Sequence, residues 1–435
     1  MSTLLERIEK HEARIVVVGI GYVGLPLVVE FARAGFRVTG FDRDPAKVKS
    51  LNNGVSYIED IKSEHLLPHV KEGRMDATTD SRVMGQADAV IICVPTPLKK
   101  TKDPDMSYIE GAVEVVVRHQ HPDMLVVLES TTYPGTTREY VCSQLTREGD
   151  YEVGRNIHVA FSPERVDPGN AKFGTRNTPK VLGGMTPKCM EAAQALYAQI
   201  VDRVVPVSSP DAAEMVKLLE NTFRAVNIGL VNEFALICER LGLDVWEVIN
   251  AAATKPFGYM PFFPGPGLGG HCIPIDPLYL SWRMRGMKMP ARFIELADMV
   301  NTAMPEHVVQ LTANALNDKK KAMNGSKILV SGVAYKRDIS DVRESPAIDV
   351  IEGLLGRGAL VSYMDPWVPS FKEHGHVFEG VKPEASFAEW DAVVIVTDHK
   401  SIDYGRMCKE ADLIVDTRNA TRVCASGCKA TIVRI

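Results

Sequence analysis

Short runs of β-branched and aliphatic residues alternate with amphipathic stretches over the first half of the chain. Arg14–Val18 reads as a strand, the segment from Leu25 to Ala34 as a helix that Gly35 ends, and Phe36–Phe41 as a second strand. Continuous apolar runs at Ala89–Val94, Leu125–Leu128 and His158–Phe161 each close on turn-forming or polar residues, the pattern of strands buried on both faces. Strands separated by helical stretches imply βαβ units and a parallel sheet.

The pattern changes near Pro210. From Asp211 to about Ala253 it predicts one long helix, with Met215, Leu218, Leu219, Phe223, Val226, Leu230, Phe234, Ile237 and Leu241 among its apolar positions. Between Ala225 and Cys238 these cover most of the circumference. A helix apolar on nearly all sides must be buried on nearly all sides, against a second subunit or at the centre of one. The stretch KPFGYMPFFPGPGLGGHCIPIDP that follows is too rich in Pro and Gly for regular helix. Helix resumes to about Lys321, and Asn324–Ser326 punctuates it. A second alternating region then begins, with strands at Lys327–Gly332, Leu360–Asp365, Ala392–Thr397 and Leu413–Asp416 and a helix at Pro346–Arg357. The expected plan is α/β: an N-terminal Rossmann-type parallel sheet over 1–210, a central helical domain over 211–322, and a C-terminal Rossmann-like α/β domain over 323–435. No sequence repeat links the two α/β parts.

A length of 435 residues suits this multidomain plan. The 45% hydrophobic content excludes intrinsic disorder. The net charge of −5, with no basic block, argues against nucleic acid as a partner. No run approaches the roughly 18 apolar residues of a membrane span. The opening MSTLLERIEKHEAR is charged throughout and lacks the apolar region of a signal peptide. The eight cysteines are scattered and form no C-x-x-C pair, so a cytoplasmic, reduced protein without a disulfide framework is expected. Cys424 and Cys428 have no nearby ligands to complete a metal site, and no metal is expected.

Residues 15–24, IVVVGIGYVG, place Gly19, Gly21 and Gly24 in G-x-G-x-x-G spacing between a strand and a helix. In that context the first glycine permits a tight turn, the second lets backbone approach a pyrophosphate, and the third lets helix pack on strand. Tyr22 and Val23 belong to the same turn, and the helix start offers free N–H groups to phosphates. Asp42 ends the second strand, eighteen residues past Gly24. A carboxylate there binds ribose hydroxyls and repels a 2′-phosphate, which favours NAD over NADP. Arg43 beside it is the opposing signal, because an arginine can accommodate that phosphate.

Cys272 lies in GPGLGGHCIPID, with Asp276 four residues on. Glycines before it leave room for a substrate to reach the sulfur. Most free cysteines are small buried hydrophobes, but one on a Gly-rich loop beside a dinucleotide site can trap an aldehyde covalently.

With these residues in view, the sequence resembles the UDP-glucose/GDP-mannose dehydrogenase family over nearly its whole length. The motifs are VVVGIGYVGLP at 16–26, CVPTP at 93–97, ESTTYPGTT at 129–137, FSPERVDPGNA at 161–171, AEMVKLLENTFRAVNI at 213–228, GPGLGGHCIPID at 265–276 and YKRDISDVRESPA at 335–347. The variants SPERVDPGN and KPFGYMPFFPGPGLGGHCIP look most like the branch that oxidises UDP-N-acetylglucosamine. The resemblance implies a four-electron oxidation of the sugar C6 hydroxyl to a carboxylate, with two NAD reduced and a thiohemiacetal and thioester on the cysteine. It implies a homodimer or larger oligomer and a place in surface polysaccharide or glycan synthesis.

Carried over position by position, Cys272 matches the nucleophile. Lys217 and Asn221 match a K-x-x-x-N pair that sits on one helix face and holds the developing oxyanion. Asp276 matches an aspartate that orders the catalytic water, Glu164 a general acid/base in thioester hydrolysis, and Thr131 a threonine near the water and the nicotinamide. Asp42, Lys47, Thr96, Thr131 and Arg343 match cofactor contacts. Lys336 and Arg418 match nucleotide-sugar contacts, Gly269 a backbone contact, and Arg165 a residue that reaches the sugar or its N-acetyl group.

Three positions depart from the family pattern. Pro168 stands where a second glutamate often occurs, with Asp167 beside it as a substitute. Phe263 stands where UDP-glucose enzymes carry a lysine, and Lys255 is the nearest cation to a further upstream arginine. All cluster around the sugar, as a change of sugar requires. The same chemistry on UDP-glucose, UDP-N-acetylgalactosamine or UDP-N-acetylmannosamine is the near alternative. A two-electron hydroxyacid dehydrogenase would need neither Cys272 nor the C-terminal domain, and a non-catalytic nucleotide-sugar sensor would not need Cys272, Lys217, Asn221 and Asp276 intact.

Overall fold

Strand β1 (Arg14–Val18) turns Ile15 and Val17 into one apolar cluster and Val16 and Val18 into another. A strand with both faces covered must be apolar throughout, which is why RIVVV shows no polar alternation. The computed structural model describes residues 2–58, 61–99, 101–167, 170, 172–373, 375–424 and 427–435. The chain divides into two compact units, 1–220 with 278–289, and 221–277 with 290–435.

In the first unit, α1 (Leu4–Glu9) precedes β1, and α2 (Gly24–Arg33) leads to β2 (Arg37–Phe41). Then come α3 (Pro45–Asn52), α4 (Ser63–Lys71), β3 (Met75–Thr78), β4 (Ala89–Ile92), α5 (Ser107–His119) and β5 (Met124–Leu128). The short α6 (Cys142–Leu145), β6 (Ile157–Phe161), β7 (Lys180–Gly184), α7 (Pro187–Tyr197) and β8 (Val204–Val207) follow. The sheet order is β3-β2-β1-β4-β5-β6-β7-β8. Every pairing is parallel except β6 with β7. The strand order reverses between β1 and β4, and the crevice at such a switch point is where α/β sheets bind ligands.

The helix expected over 211–253 is two helices, α8 (Pro210–Leu241) and α9 (Val245–Ala252). Gly242 breaks it at φ +68°, and the Asp244 side chain caps the second piece by accepting from the N–H of Trp246. α8 buries Val231, Ala235 and Cys238, while Phe223, Leu230, Phe234, Ile237 and Leu241 lie exposed along another face. The chain itself covers only one stripe, so α8 is not the fully enclosed centre of one subunit.

α10 (Asp276–Gly286) and α11 (Arg292–Asp318) follow the Pro- and Gly-rich stretch. The second unit holds α8 from Asn221, α9, all of α11 and the C-terminal sheet, whereas most of α10 falls in the first. β9 (Lys327–Ser331), α12 (Pro346–Gly356), β10 (Leu360–Met364), the hairpin strands β11 (Ser370–Glu373) and β12 (His376–Glu379), β13 (Ala392–Ile395), α13 (Tyr404–Glu410), β14 (Leu413–Asp416) and β15 (Thr431–Arg434) close the chain. The five-stranded sheet, β10-β9-β13-β14-β15, is parallel throughout.

One expectation about the cysteines is corrected. Cys408 on α13 is bonded to Cys424, sixteen residues on. Nothing in that spacing marks a pair; the fold brings the two together. Cys93, Cys142, Cys189 and Cys238 are buried thiols, Cys272 is half-buried and Cys428 is exposed. Among the described residues no group of His, Cys, Asp and Glu forms a metal site, and no helix is long and apolar enough to cross a membrane.

Candidate active site

The turn after β1 is built as a phosphate cradle. Gly19 adopts φ +87°, and a Cβ there would stand 2.7 Å from the carbonyl oxygen of Cys93, so only glycine fits. Above Gly21 a Cβ would meet nothing within 4 Å, which leaves open space over the backbone. Val23 begins α2 with no side chain capping it, leaving the first N–H groups available to an anion. Asp42 follows β2. Its Oδ2 accepts from the N–H of Ile20 at 3.1 Å and its Oδ1 from that of Asp44 at 2.9 Å. Lys47 on α3 stands 3.6 Å from the same carboxylate. Arg43 is exposed and reaches toward Gly111 on α5, 3.1 Å from where a Cβ would sit. Tyr22 is exposed, and Thr96 is half-buried in the loop after β4. These residues fit a dinucleotide with a free ribose hydroxyl.

Beside the cradle, the ends of β5 and β6 carry the polar groups of the first unit. Thr131 is half-buried just past β5. Glu164 lies three residues past β6. Its Oε1 accepts from the N–H of Arg165 at 2.8 Å and of Val166 at 2.6 Å, and its Oε2 from Lys180 Nζ at 3.3 Å. Burial pushes the Glu164 carboxyl up, but the Lys180 ammonium, the Val166 N–H and Lys217 outweigh it and hold the group below the usual carboxylate range. Lys217 is buried on α8 and donates to the Glu164 carbonyl oxygen. It is no solvated helical lysine. Arg165 is tied down by Glu220 at 2.6 Å and by the carbonyl oxygen of Pro179 at 2.7 Å. Asp167 is half-buried, and Pro168 lies outside the described residues.

In the second unit, the loop 265–275 runs into α10. The carbonyl oxygen of Cys272 accepts from the N–H of Asp276 at 2.8 Å and of Ile275 at 3.2 Å. Asn221 Nδ2 donates to Asp276 Oδ2 at 2.6 Å, and both residues are buried. Cys272 is half-buried. The glycines before it pack against the motif 335–347. Gly270 sits at φ +81° with its missing Cβ 2.8 Å from the Tyr335 ring, and its N–H donates to the Arg343 carbonyl at 3.2 Å. A Cβ on Gly269 would stand 2.6 Å from the Cβ of Tyr335. Arg343 is exposed and gripped by the Asp341 carboxylate through two nitrogens, at 3.0 and 2.6 Å. Arg418 lies against Gly265 at the start of the same loop, 2.5 Å from where its Cβ would be. Lys336 is half-buried beside Tyr335 in sequence. Phe263 stacks on Trp246 with ring centroids 5.7 Å apart, and the Lys255 ammonium stands 5.1 Å from the Phe257 ring.

Four residues escaped the reading of the sequence: Glu129, Lys180, Tyr197 and Glu214. Lys180 Nζ lies 2.6 Å from Glu129 Oε2, and the Tyr197 hydroxyl donates to the other Glu129 oxygen. Glu214 accepts from the N–H of Gly135 at 2.7 Å and from the N–H and hydroxyl of Thr137 at 2.9 and 2.7 Å. Glu129 and Glu214 stand inside motifs quoted above, which was an available signal. Lys180 and Tyr197 stand in none.

A glycine cradle at a switch point, with an aspartate after the second strand, defines a dinucleotide-binding unit. The chain belongs to the UDP-glucose/GDP-mannose dehydrogenase family: residues 13–201 match its NAD binding domain, 211–303 its central domain and 329–423 its UDP binding domain. It is thus an NAD-dependent nucleotide-sugar dehydrogenase. It is 35% identical to the UDP-N-acetyl-D-mannosamine dehydrogenase of Methanococcus maripaludis over 94% of this chain and 95% of that one. It is 34% identical to the UDP-N-acetyl-D-glucosamine 6-dehydrogenase of Salmonella typhi over 89% and 90%. The solved UDP-N-acetyl-D-mannosamine dehydrogenase of Pyrococcus horikoshii superposes with a TM-score of 0.88 at 34% identity, over 97% of this chain and 99% of that one.

Proposed function

We propose that the protein oxidises the C6 hydroxyl of UDP-N-acetylglucosamine to the uronic acid in four electrons, through a covalent intermediate on Cys272. The observation that carries this is the joining of Cys272, Asp276 and Asn221 at the head of α10, with Cys272 half-buried rather than in the core. NAD, when bound, supplies the hydride acceptor, and each sugar uses two. Gly19, Gly21, the start of α2, Asp42, Lys47, Thr96 and Thr131 hold it, and Arg343 is assigned to it by motif.

The residues divide the work by their chemistry. Loss of hydride from C6 and of the hydroxyl proton gives the aldehyde. The Cys272 thiolate adds to C6, and Lys217 and Asn221 stabilise the oxygen that becomes negative. Each has a donor to spare: an ammonium has three protons and an amide two, and one of each is engaged in the structure. A second hydride loss gives the thioester. Water then attacks its carbonyl carbon, the C–S bond breaks and the thiolate returns. Asp276 orders that water, and Glu164, held ionised, accepts its proton. Lys336, Arg418 and the Gly269 backbone bind the nucleotide sugar. Arg165 bears on the sugar through the segment it fixes to Glu220 and Pro179.

A second reading, UDP-N-acetylmannosamine, is favoured by relatives of that name at the same level of identity. The exposed stripe on α8 supports a homodimer. The test is a panel of UDP-N-acetylglucosamine, UDP-N-acetylmannosamine, UDP-N-acetylgalactosamine and UDP-glucose, scored for NADH. The reading predicts fastest turnover of the first and two NADH per sugar. One NADH per sugar, or no turnover of any of the four, would contradict it.

A further inference from the structure

The antiparallel pairing of β6 with β7 is the one irregularity of the large sheet, and it has a chemical consequence. In a parallel sheet the start of a strand lies at the end remote from the crevice. Because β7 runs against β6, its first residue lies instead at the C-terminal ends of β5 and β6. The register pairs Phe161 with Gly183 and Ala160 with Gly184. Continued outward, it sets Lys180 opposite Glu164. The Lys180 side chain is 5% exposed and its ammonium is shared between Glu129, 2.6 Å away, and Glu164, 3.3 Å away. Glu129 is the residue after β5 and its side chain is fully covered. Three adjacent strands thus deliver two carboxylates and one ammonium to one buried spot.

We infer that Lys180 is a positioning residue for the hydrolytic step, holding the Glu164 carboxylate in place through a buried Glu129–Lys180–Glu164 bridge. The inference rests on the reading of Glu164 as the group that takes the proton of water. Burying three charges is expensive, and replacing such a cluster by well-packed apolar residues is often neutral or stabilising. A purely structural position 180 on an otherwise apolar strand is served as well by a methionine. Lys180 leaves one Glu164 oxygen fixed by an ammonium while two backbone N–H groups fix the other, so the side chain has a single orientation.

The other groups that face the bridge do not change its charge near neutrality. Cys93 past β4 and Tyr197 on α7 are both pushed well above their ordinary values, by burial first and by the neighbouring carboxylates, and stay neutral. Lys217 on α8 adds a positive charge near Glu164. Arg165 and Glu220 beside it form an ion pair of their own. Lys180 itself is depressed by burial but raised further by Glu129 and Glu164, and stays an ammonium.

The experiment follows kcat against pH, with the panel sugar turned over fastest, in the wild type and in K180M, K180R, E129Q and E164Q. Loss of Lys180 removes an opposite charge next to Glu164, so the acid limb in K180M moves to higher pH by about one unit or more, and kcat at pH 7 falls at least tenfold. K180R restores most of both. Burial pushes the Glu129 carboxyl up while Glu164 is held below the ordinary carboxylate range, so E129Q leaves the acid limb in place and instead lowers kcat by removing one of the two partners that hold Lys180. NAD quenching of intrinsic fluorescence shows which variants are folded. A limb unmoved in the folded lysine variants would overturn the inference, as would K180R as impaired as a folded K180M, or an E129Q whose kcat equals that of the wild type. E164Q separates the two levels: wild-type turnover there overturns the role of Glu164 and the inference with it, whereas an inactive E164Q beside a normal K180M overturns the inference alone.

Discussion

Asn221 donates to Asp276 at 2.6 Å, and the N–H of Asp276 donates to the carbonyl of Cys272 at 2.8 Å, so the amide of α8 is linked through one carboxylate to the backbone of the cysteine. The link ties the residue assigned to the oxyanion to the residue assigned to the nucleophile. Asn221→Ala should therefore lower kcat by about a hundredfold, the scale for loss of one oxyanion donor, with a smaller change in KM. Steady-state kinetics measures both. A kcat within twofold of wild type would show that Asn221 has no part in the reaction.

Glu214 gives the fold a pH dependence. Burial pushes its carboxyl up to about 7 from the ordinary 4.5, against the pull of the Thr137 hydroxyl and N–H and the Gly135 N–H. The folded chain thus holds a proton that the unfolded chain has already lost between those values. The stability this confers is complete below pH 4.5 and is lost as the pH rises through about 7. It amounts to something on the order of 3 kcal/mol. Tm of the wild type should fall by several degrees between pH 5.5 and 8, and Glu214→Gln should remove most of that fall. Parallel curves for the two proteins, measured by scanning calorimetry, would contradict this.

Asp42 offers its carboxylate to the ribose hydroxyls. Asp42→Ala should raise KM for NAD roughly tenfold or more, the scale of a lost charge-assisted hydrogen bond, while KM for NADP changes less or falls, with Arg43 beside the phosphate. Equal losses for the two cofactors would remove Asp42 from ribose recognition.

The outer face of α8 carries Phe223, Leu230, Phe234, Ile237 and Leu241, all more than two-fifths exposed. A stripe of this size on one helix needs a cover. Phe234→Glu together with Leu241→Glu should shift the protein to monomer in sedimentation velocity, with its C-terminal sheet intact by circular dichroism. An unchanged sedimentation coefficient would contradict the proposed homodimer through this stripe.

The strands of both sheets were legible where apolar runs stand between turn residues. Arg14–Val18 and Leu413–Asp416 fall on β1 and β14 to the residue, because in each an apolar run covered on both faces meets a charged residue at one end. β8 (VVPV) was hidden by Pro206 and by its half-exposed edge position. β7 was hidden because it opens on a lysine and closes on two glycines. The motifs located the cradle and the cysteine loop, since those depend on local spacing. The Glu129–Lys180–Glu164 bridge depends on three strand ends far apart in sequence, and no local pattern reveals it. The same holds for Cys408 and Cys424, and for the break at Gly242, whose positive φ outweighs an unbroken apolar periodicity.

The account stands on covalent capture at Cys272. The most direct measurement is the intact mass of enzyme quenched in acid during turnover, with the modified peptide then mapped. The account predicts an added mass equal to the nucleotide sugar at the aldehyde or acyl level on the peptide containing Cys272, absent in Cys272→Ser. An unmodified Cys272 in enzyme that is turning over, together with full conversion to the acid by Cys272→Ser, would contradict it.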